Sequence, residues 1–121
     1  MDVIYIFYLW VEKLNIMRIK QISILSESQG PIMGGEKNIN DNSDVYVDFD
    51  NGEKYVGTFF TYQNIEWLRN KNIKTGECLN GKFFWASNMI IVDNLERQTI
   101  ELIINELIDK SEFKLIFSRV E

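Results

Sequence analysis

The segment "DVYVDFDNGEKYVGTFF", residues 44–60, provides the strongest indication of the fold. Apolar and polar residues alternate on both sides of Asn51-Gly52, as expected for two half-buried strands joined by a tight turn. Both central residues of a type I′ turn need a positive φ, and Asn-Gly is a pair that adopts it readily. The sequence therefore predicts a β-hairpin in which Asp50 lies opposite Glu53 across a two-residue turn.

This register predicts a face of the hairpin on which acids and tyrosines lie together. Like charges that face each other across two strands destabilise the pair, and a Lys or Arg from another protein would relieve the repulsion. Tyrosine is also enriched at protein interfaces. We predict a site that binds a basic protein partner, with a solvated turn as the alternative, and its residues are Tyr46, Asp48, Asp50, Glu53 and Tyr55.

Two helices are predicted downstream of the hairpin. Thr61 is a suitable N-cap for residues 62–74, and Gly76 is a suitable stop. A second helix is expected after Asp93, which forms a capping pattern with Glu96. Its apolar residues recur on one helical face, and they are Ile100, Ile103, Ile104, Leu107 and Ile108.

The segment "NGKFFWASNMIIV", residues 80–92, predicts a second tight turn and a central strand. Residues 83–92 are apolar on both alternating sides, which is typical of a strand buried on both faces. Small and polar residues interrupt this run. In one interpretation they leave room for a crossing helix, and the Asn88 side-chain amide forms hydrogen bonds with a loop. In the other, Trp85, Ser87 and Asn88 form a ligand pocket.

The order of these elements predicts an α+β fold, a mainly antiparallel sheet with two helices packed on one face. Residues 18–25 alternate as a first strand, residues 26–43 form a long loop, and the tail from Ser111 is either a short helix or an edge strand. Residues 17–121 are expected to be a single domain.

Residues 1–16 form an apolar N-terminal extension with two interpretations. Residues 3–11 are apolar without interruption, but a membrane-spanning helix needs roughly 20 such residues. The extension either packs on the domain or precedes a natural start at Met17. No membrane span is predicted.

Composition excludes several chemistries. The chain of 121 residues has no histidine and one cysteine, Cys78. A histidine-based catalytic triad, histidine metal ligands and a thiolate cluster are therefore impossible. We expect no enzyme, cofactor or metal, although a carboxylate-dependent metal enzyme stays an alternative. The net charge of −5 disfavours nucleic acid as a ligand, and the single cysteine fits a cytoplasmic protein.

The run from "YVGTFFTYQNIEWL" to "TGECLNGKFFWASNMIIV" resembles small bacterial immunity-type proteins, which are encoded beside polymorphic or contact-dependent toxins. The resemblance covers roughly residues 44–110 as a style of domain. It implies a cytoplasmic protein that neutralises a cognate toxin by direct binding, without catalysis. The alternative function is a small ligand-binding or regulatory module with a pocket near Trp85, Ser87 and Asn88.

Overall fold

The computed structural model describes residues 18–28 and 38–121. The strands are β1 (Ile19–Ile24), β2 (Asn42–Phe49), β3 (Lys54–Thr61), β4 (Met89–Val92) and β5 (Ser118–Val120). The α-helices are α1 (Tyr62–Thr75), α2 (Arg97–Asp109) and α3 (Phe113–Ile116), and a 3-10 turn (Leu25–Ser28) follows β1. The predicted extension 1–16 and residues 29–37 of the predicted loop lie outside the described residues.

The strands form one sheet in the order β1-β2-β3-β4. All pairings are antiparallel except that of β3 with β4. Two strands share the free side of β3: β5 pairs with its first half and β4 with its second half. Because parallel neighbours need a crossover connection, the chain between β3 and β4 contains α1. The predicted α+β fold with a mainly antiparallel sheet is confirmed.

The core lies between one face of this sheet and the helices α2 and α3. Helix α2 buries Ile100, Ile104 and Ile108, which are spaced for one helical face. The predicted apolar face of this helix is thus confirmed, with Ile103 and Leu107 half-buried at its edge. The strands contribute the buried side chains Ile22, Ile24, Val45, Val47, Phe49, Tyr55, Phe59 and Val92.

Aromatic rings close the end of the core that lies under α3. The rings of Phe113 and Phe117 stack with centroids 4.2 Å apart. Phe113 also meets Phe49 and Tyr55 edge to face, each at 5.4 Å. Gly57 lies directly beneath the Phe117 ring, and a Cβ at this position would lie 2.7 Å from it. The missing side chain therefore lets Phe117 approach the sheet.

The predicted register of the hairpin is wrong by one residue. Asp48 pairs with Lys54 and Val47 with Tyr55, around a three-residue loop closed by the bond from the Gly52 amide to the Phe49 carbonyl, 3.0 Å. Gly52 has a φ of 88°, as in a type I turn followed by a G1 bulge. Asn-Gly serves this turn as well as a type I′ turn, so the dipeptide alone did not determine the register.

The predicted second hairpin at Asn80-Gly81 is also wrong. Residues Glu77–Gly81 instead form a left-handed turn, in which Cys78, Leu79 and Asn80 all have a positive φ. The Lys82 amide closes this turn by donating to the Cys78 carbonyl, 3.0 Å. The predicted strand over residues 83–92 is reduced to β4, because residues 83–86 adopt no regular structure.

The two long helices were predicted correctly, but the predicted caps are right only for α1. The Thr61 hydroxyl accepts a hydrogen bond from the Asn64 amide, and Gly76 ends α1 in the left-handed conformation, as predicted. Asp93 does not cap α2, because this helix begins at Arg97 after an extended Glu96. The tail contains both of the predicted alternatives, first α3 and then β5.

Candidate functional site

The structure does not bring the five predicted hairpin residues onto one face. A register slip of one residue moves every side chain of a strand to the other face. Tyr55 is consequently a core residue with 5% exposure. Tyr46 and Asp48 stay on the outer face, where they lie beside Lys54.

Each of the three acids predicted for the hairpin site lies beside a base of the same chain. Asp50 pairs with Arg18 at 3.1 Å, and Asp48 pairs with Lys54 at 3.8 Å. Glu53 lies 3.4 Å from Arg119 on β5. These are partly exposed pairs of small energetic value, but they reduce the negative charge that a basic partner would meet.

The Glu53 carboxylate also has a structural role. The Tyr55 hydroxyl donates a hydrogen bond of 3.0 Å to it. This bond is the main cause of a lowered pKa of Glu53, with smaller contributions from Asn51 and Arg119, while burial acts in the opposite direction. The carboxylate therefore helps to fix the position of the buried Tyr55 ring.

None of the predicted pocket residues Trp85, Ser87 and Asn88 is among the described residues that line the groove beside β4. Asn88 has a φ of 58°, and its side-chain amide donates to the Ile116 backbone carbonyl at 2.9 Å and to the Ser118 hydroxyl. The backbone carbonyl of Asn88 accepts a hydrogen bond from the Thr58 backbone amide at 2.8 Å. Asn88 thus joins β3 and the start of β4 to the α3–β5 connection, while Trp85 lies exposed nearby.

An open groove of about 500 Å³ lies beside these residues, on the sheet face opposite the core. Within β4, Ile90 and Val92 face the core, so the alternation of the strand turns Met89 and Ile91 toward the groove. Helix α1 contributes Ile65 and Arg69, four residues apart on one side. The remaining lining residues are Gly81, Lys82, Phe83 and Phe84.

The left-handed turn explains how the aromatic run reaches the groove. A Cβ on Gly81 would lie 2.8 Å from both the Arg69 carbonyl oxygen and the Ile73 side chain. This close approach to α1 brings the following residues back along the helix. The Phe84 ring then meets Phe60 of β3 edge to face, with centroids 5.3 Å apart.

Both charged residues in the described lining of the groove are basic. Arg69 and Lys82 form no ion pair with any carboxylate in the described part of the chain, and the Lys82 ammonium donates only to the Leu79 carbonyl, at 3.3 Å. The nearby Lys71 is paired with Glu77 at 3.7 Å. The groove therefore has an apolar floor and a positive wall in a chain whose net charge is −5.

Large apolar side chains of the groove lining and of residues close to it in the chain are exposed to solvent. Trp85 is 70% exposed, Leu79 69%, and Phe83 and Ile73 each 50%. Together with the groove lining, these residues form what we call the groove surface. Single exposed apolar residues are ordinary, but a contiguous set rimmed by polar groups marks an interaction surface.

Residues 18–28 and 38–121 contain neither a cluster of metal ligands nor a membrane-spanning helix. No three Cys, Asp or Glu side chains of this part converge as metal ligands. None of its helices has the length and apolar character needed to cross a membrane. No protein-family model, curated protein or solved structure matches the chain significantly.

Sequence reasoning missed the groove because it assigned residues 83–92 to one buried strand. The available signal was the spacing of Gly76 and Gly81 around a short polar segment, directly before an aromatic run. Two glycines so close together indicate a reversal of the chain. Such a reversal directs the aromatic run back along α1, and the interruption at Ser87 and Asn88, where Asn88 has a φ of 58°, separates that run from β4.

Proposed function

We propose that the chain is a non-enzymatic protein-binding domain and that the groove surface is its binding site. The observation that carries the proposal is the exposure of Trp85, Leu79, Phe83 and Ile73 around one groove. Burial of such side chains drives most protein association, and aromatic residues dominate the energy of interfaces. A partner that covered the groove surface would remove these side chains from water.

The composition of the chain and the surroundings of the described carboxylates favour a binding role. Without histidine, the chain would need activated carboxylates, lysines or its one cysteine for catalysis. The described carboxylates are mostly single groups or members of ion pairs. The described residues that line the groove include no acid.

An immunity protein that neutralises a toxin in the cytoplasm stays a prediction of the family resemblance. Such a protein acts by contact alone, which is compatible with the groove surface. The predicted hairpin site is less favourable, since its acids already have basic neighbours. A toxin gene next to the reading frame would support this form of the proposal.

Site-specific cross-linking in the cell that encodes the protein tests the proposal. A photoreactive phenylalanine at Phe83 should cross-link to one defined protein. The same group at Leu115, which is 82% exposed on α3, is the matched control and should not. The cross-link should disappear in a variant with Leu79→Ser and Trp85→Ser and persist with Leu102→Ser and Leu115→Ser. Equal cross-linking from both positions would contradict the proposal.

A small-ligand module is the second candidate function. The groove volume of about 500 Å³ lies within the range of known ligand pockets. A small ligand would, however, leave Trp85 and Leu79 in water. Saturable binding of a small apolar compound, without a cross-linked protein, would favour this second candidate.

A further inference from the structure

We infer that the groove binds an apolar segment of the partner protein that carries Asp or Glu at its margin. This inference rests on the proposed function and names the chemistry of the partner. It differs from the prediction of a basic partner, which came from the net charge of the chain. Three features of the groove support it.

The first feature is the unmatched positive charge. Many basic side chains of the described residues form ion pairs with acids, and examples are Arg18, Lys54, Arg97 and Arg119. Arg69 and Lys82 have no such partner among the described residues, although both lie at the groove. An acidic side chain from another protein would supply the missing neighbour, and a guanidinium can bind a carboxylate through two parallel hydrogen bonds.

The second feature is the combination of charge with an apolar floor. Ile65, Phe84, Met89 and Ile91 line the groove together with the two bases. A segment that consists only of acids would leave these side chains in contact with water. A segment with apolar residues in the groove and acids at its edge satisfies both parts of the lining.

The third feature is the extent of the apolar area. Leu79 and Trp85 lie outside the groove lining and are the most exposed members of the groove surface. A small apolar anion could neutralise Arg69 or Lys82, but it could not cover these side chains as well. A chain segment several residues long can do both.

The net charge of −5 does not oppose this assignment. Charges further apart than about 8 Å are largely screened at physiological ionic strength. The acids of the hairpin are also partly compensated by their own bases. An Asp or Glu of the bound segment would therefore interact electrostatically mainly with the bases at the groove.

Selection of peptides from a random 16-residue display library, a length of about four helical turns, tests the inference. The full chain is the bait. We expect the selected peptides to combine apolar residues with Asp or Glu. A synthetic peptide of the consensus should bind Arg69→Glu/Lys82→Glu about tenfold or more weakly than the unmodified protein. A peptide in which Lys replaces these acids should regain part of its binding to the Arg69→Glu/Lys82→Glu variant, but should not bind the unmodified protein better.

A matched control separates the local effect from the change in net charge. Lys20→Glu/Lys114→Glu changes the net charge equally, and both lysines lie outside the groove lining. This variant should bind the consensus peptide as the unmodified protein does. Circular dichroism of both variants checks that they fold.

The outcomes distinguish the inference from the proposed function. Peptides that lose binding with Leu79→Ser/Trp85→Ser but show no preference for acids would overturn the inference and leave the proposed function standing. Peptides that bind independently of the groove surface, or a library without enrichment, would contradict both. Equal weakening by the two charge variants would overturn the inference, because the effect would then be one of net charge.

Discussion

Gly57 illustrates how a single residue determines packing in this core. The Phe117 ring lies where a side chain at position 57 would be, 2.7 Å from an ideal Cβ. Phe117 in turn stacks on Phe113 and meets Phe59. The contact of sheet and α3 therefore depends on a glycine that needs no unusual backbone conformation.

We expect Gly57→Ala to lower the free energy of unfolding by about 1–3 kcal/mol, the usual cost of overpacking a core. Urea unfolding measures the change. Combining Gly57→Ala with Phe117→Leu should cost less than the sum of the single substitutions, since the smaller residue frees the space. An alanine variant as stable as the unmodified protein would show that the ring does not pack there.

The Glu53–Tyr55 hydrogen bond has an effect that depends on pH. A carboxyl whose pKa is lowered by folding stabilises the folded state above its ordinary value of 4.5. That contribution is lost as the pH falls through the lower, folded-state value. Tyr55→Phe keeps the ring but removes the hydroxyl donor.

In Tyr55→Phe we expect the pKa of Glu53 to move back toward its ordinary value. NMR titration of the Glu53 side chain in both proteins measures this shift. The variant should also lose less stability than the unmodified protein on acidification through this range. An identical Glu53 pKa in the two proteins would contradict the assigned cause.

At the scale of elements, the two helices whose signals lie within them or next to them in sequence were predicted correctly. Helix α1 has a cap at Thr61 and a stop at Gly76, both adjacent to it in sequence. Helix α2 has a regular apolar face, which its burial confirms. The hairpin turn was located correctly, but its type was not, because Asn51-Gly52 fits two turn types.

Residues 77–92 could not be predicted in the same way. Three successive non-glycine residues in the left-handed conformation are unfavourable by local preference. Contacts between distant residues compensate here, above all the packing of Gly81 against α1. The sequence pattern of an apolar strand therefore described only β4 correctly.

The observed register makes opposite predictions for the two hairpin tyrosines. Tyr55→Ala should cost about 3–5 kcal/mol, as do other large aromatic truncations in a core. Tyr46→Ala on the outer face should cost about 1 kcal/mol or less. Thermal or urea unfolding of both variants compares them. Equal, small effects would support the register predicted from the sequence instead.

At the scale of the whole molecule, the composition excludes several catalytic chemistries but does not show which surface binds a partner. The missing histidine excludes the same chemistries in any fold. The acidic excess of the chain suggested an acidic binding face, but folding places bases beside the hairpin acids. The position of a charge in sequence does not reveal its neighbours in space.

The groove surface is a property of the folded molecule alone. It combines α1, the left-handed turn and β4, which follow one another within residues 62–92 and adjoin in space only after the crossover forms. Its basic residues belong to the half of the chain with the smaller acidic excess. The periodicity of these residues does not show which of their side chains meet around the groove.

Hydrogen exchange of the full chain, with and without the purified protein that is cross-linked at Phe83, tests the central claim most directly. We predict slower exchange in α1 and in residues 77–91 on binding, and unchanged exchange in the hairpin, residues 44–57. Protection confined to the hairpin, with residues 77–91 unchanged, would show that the partner binds elsewhere and would contradict the proposed function.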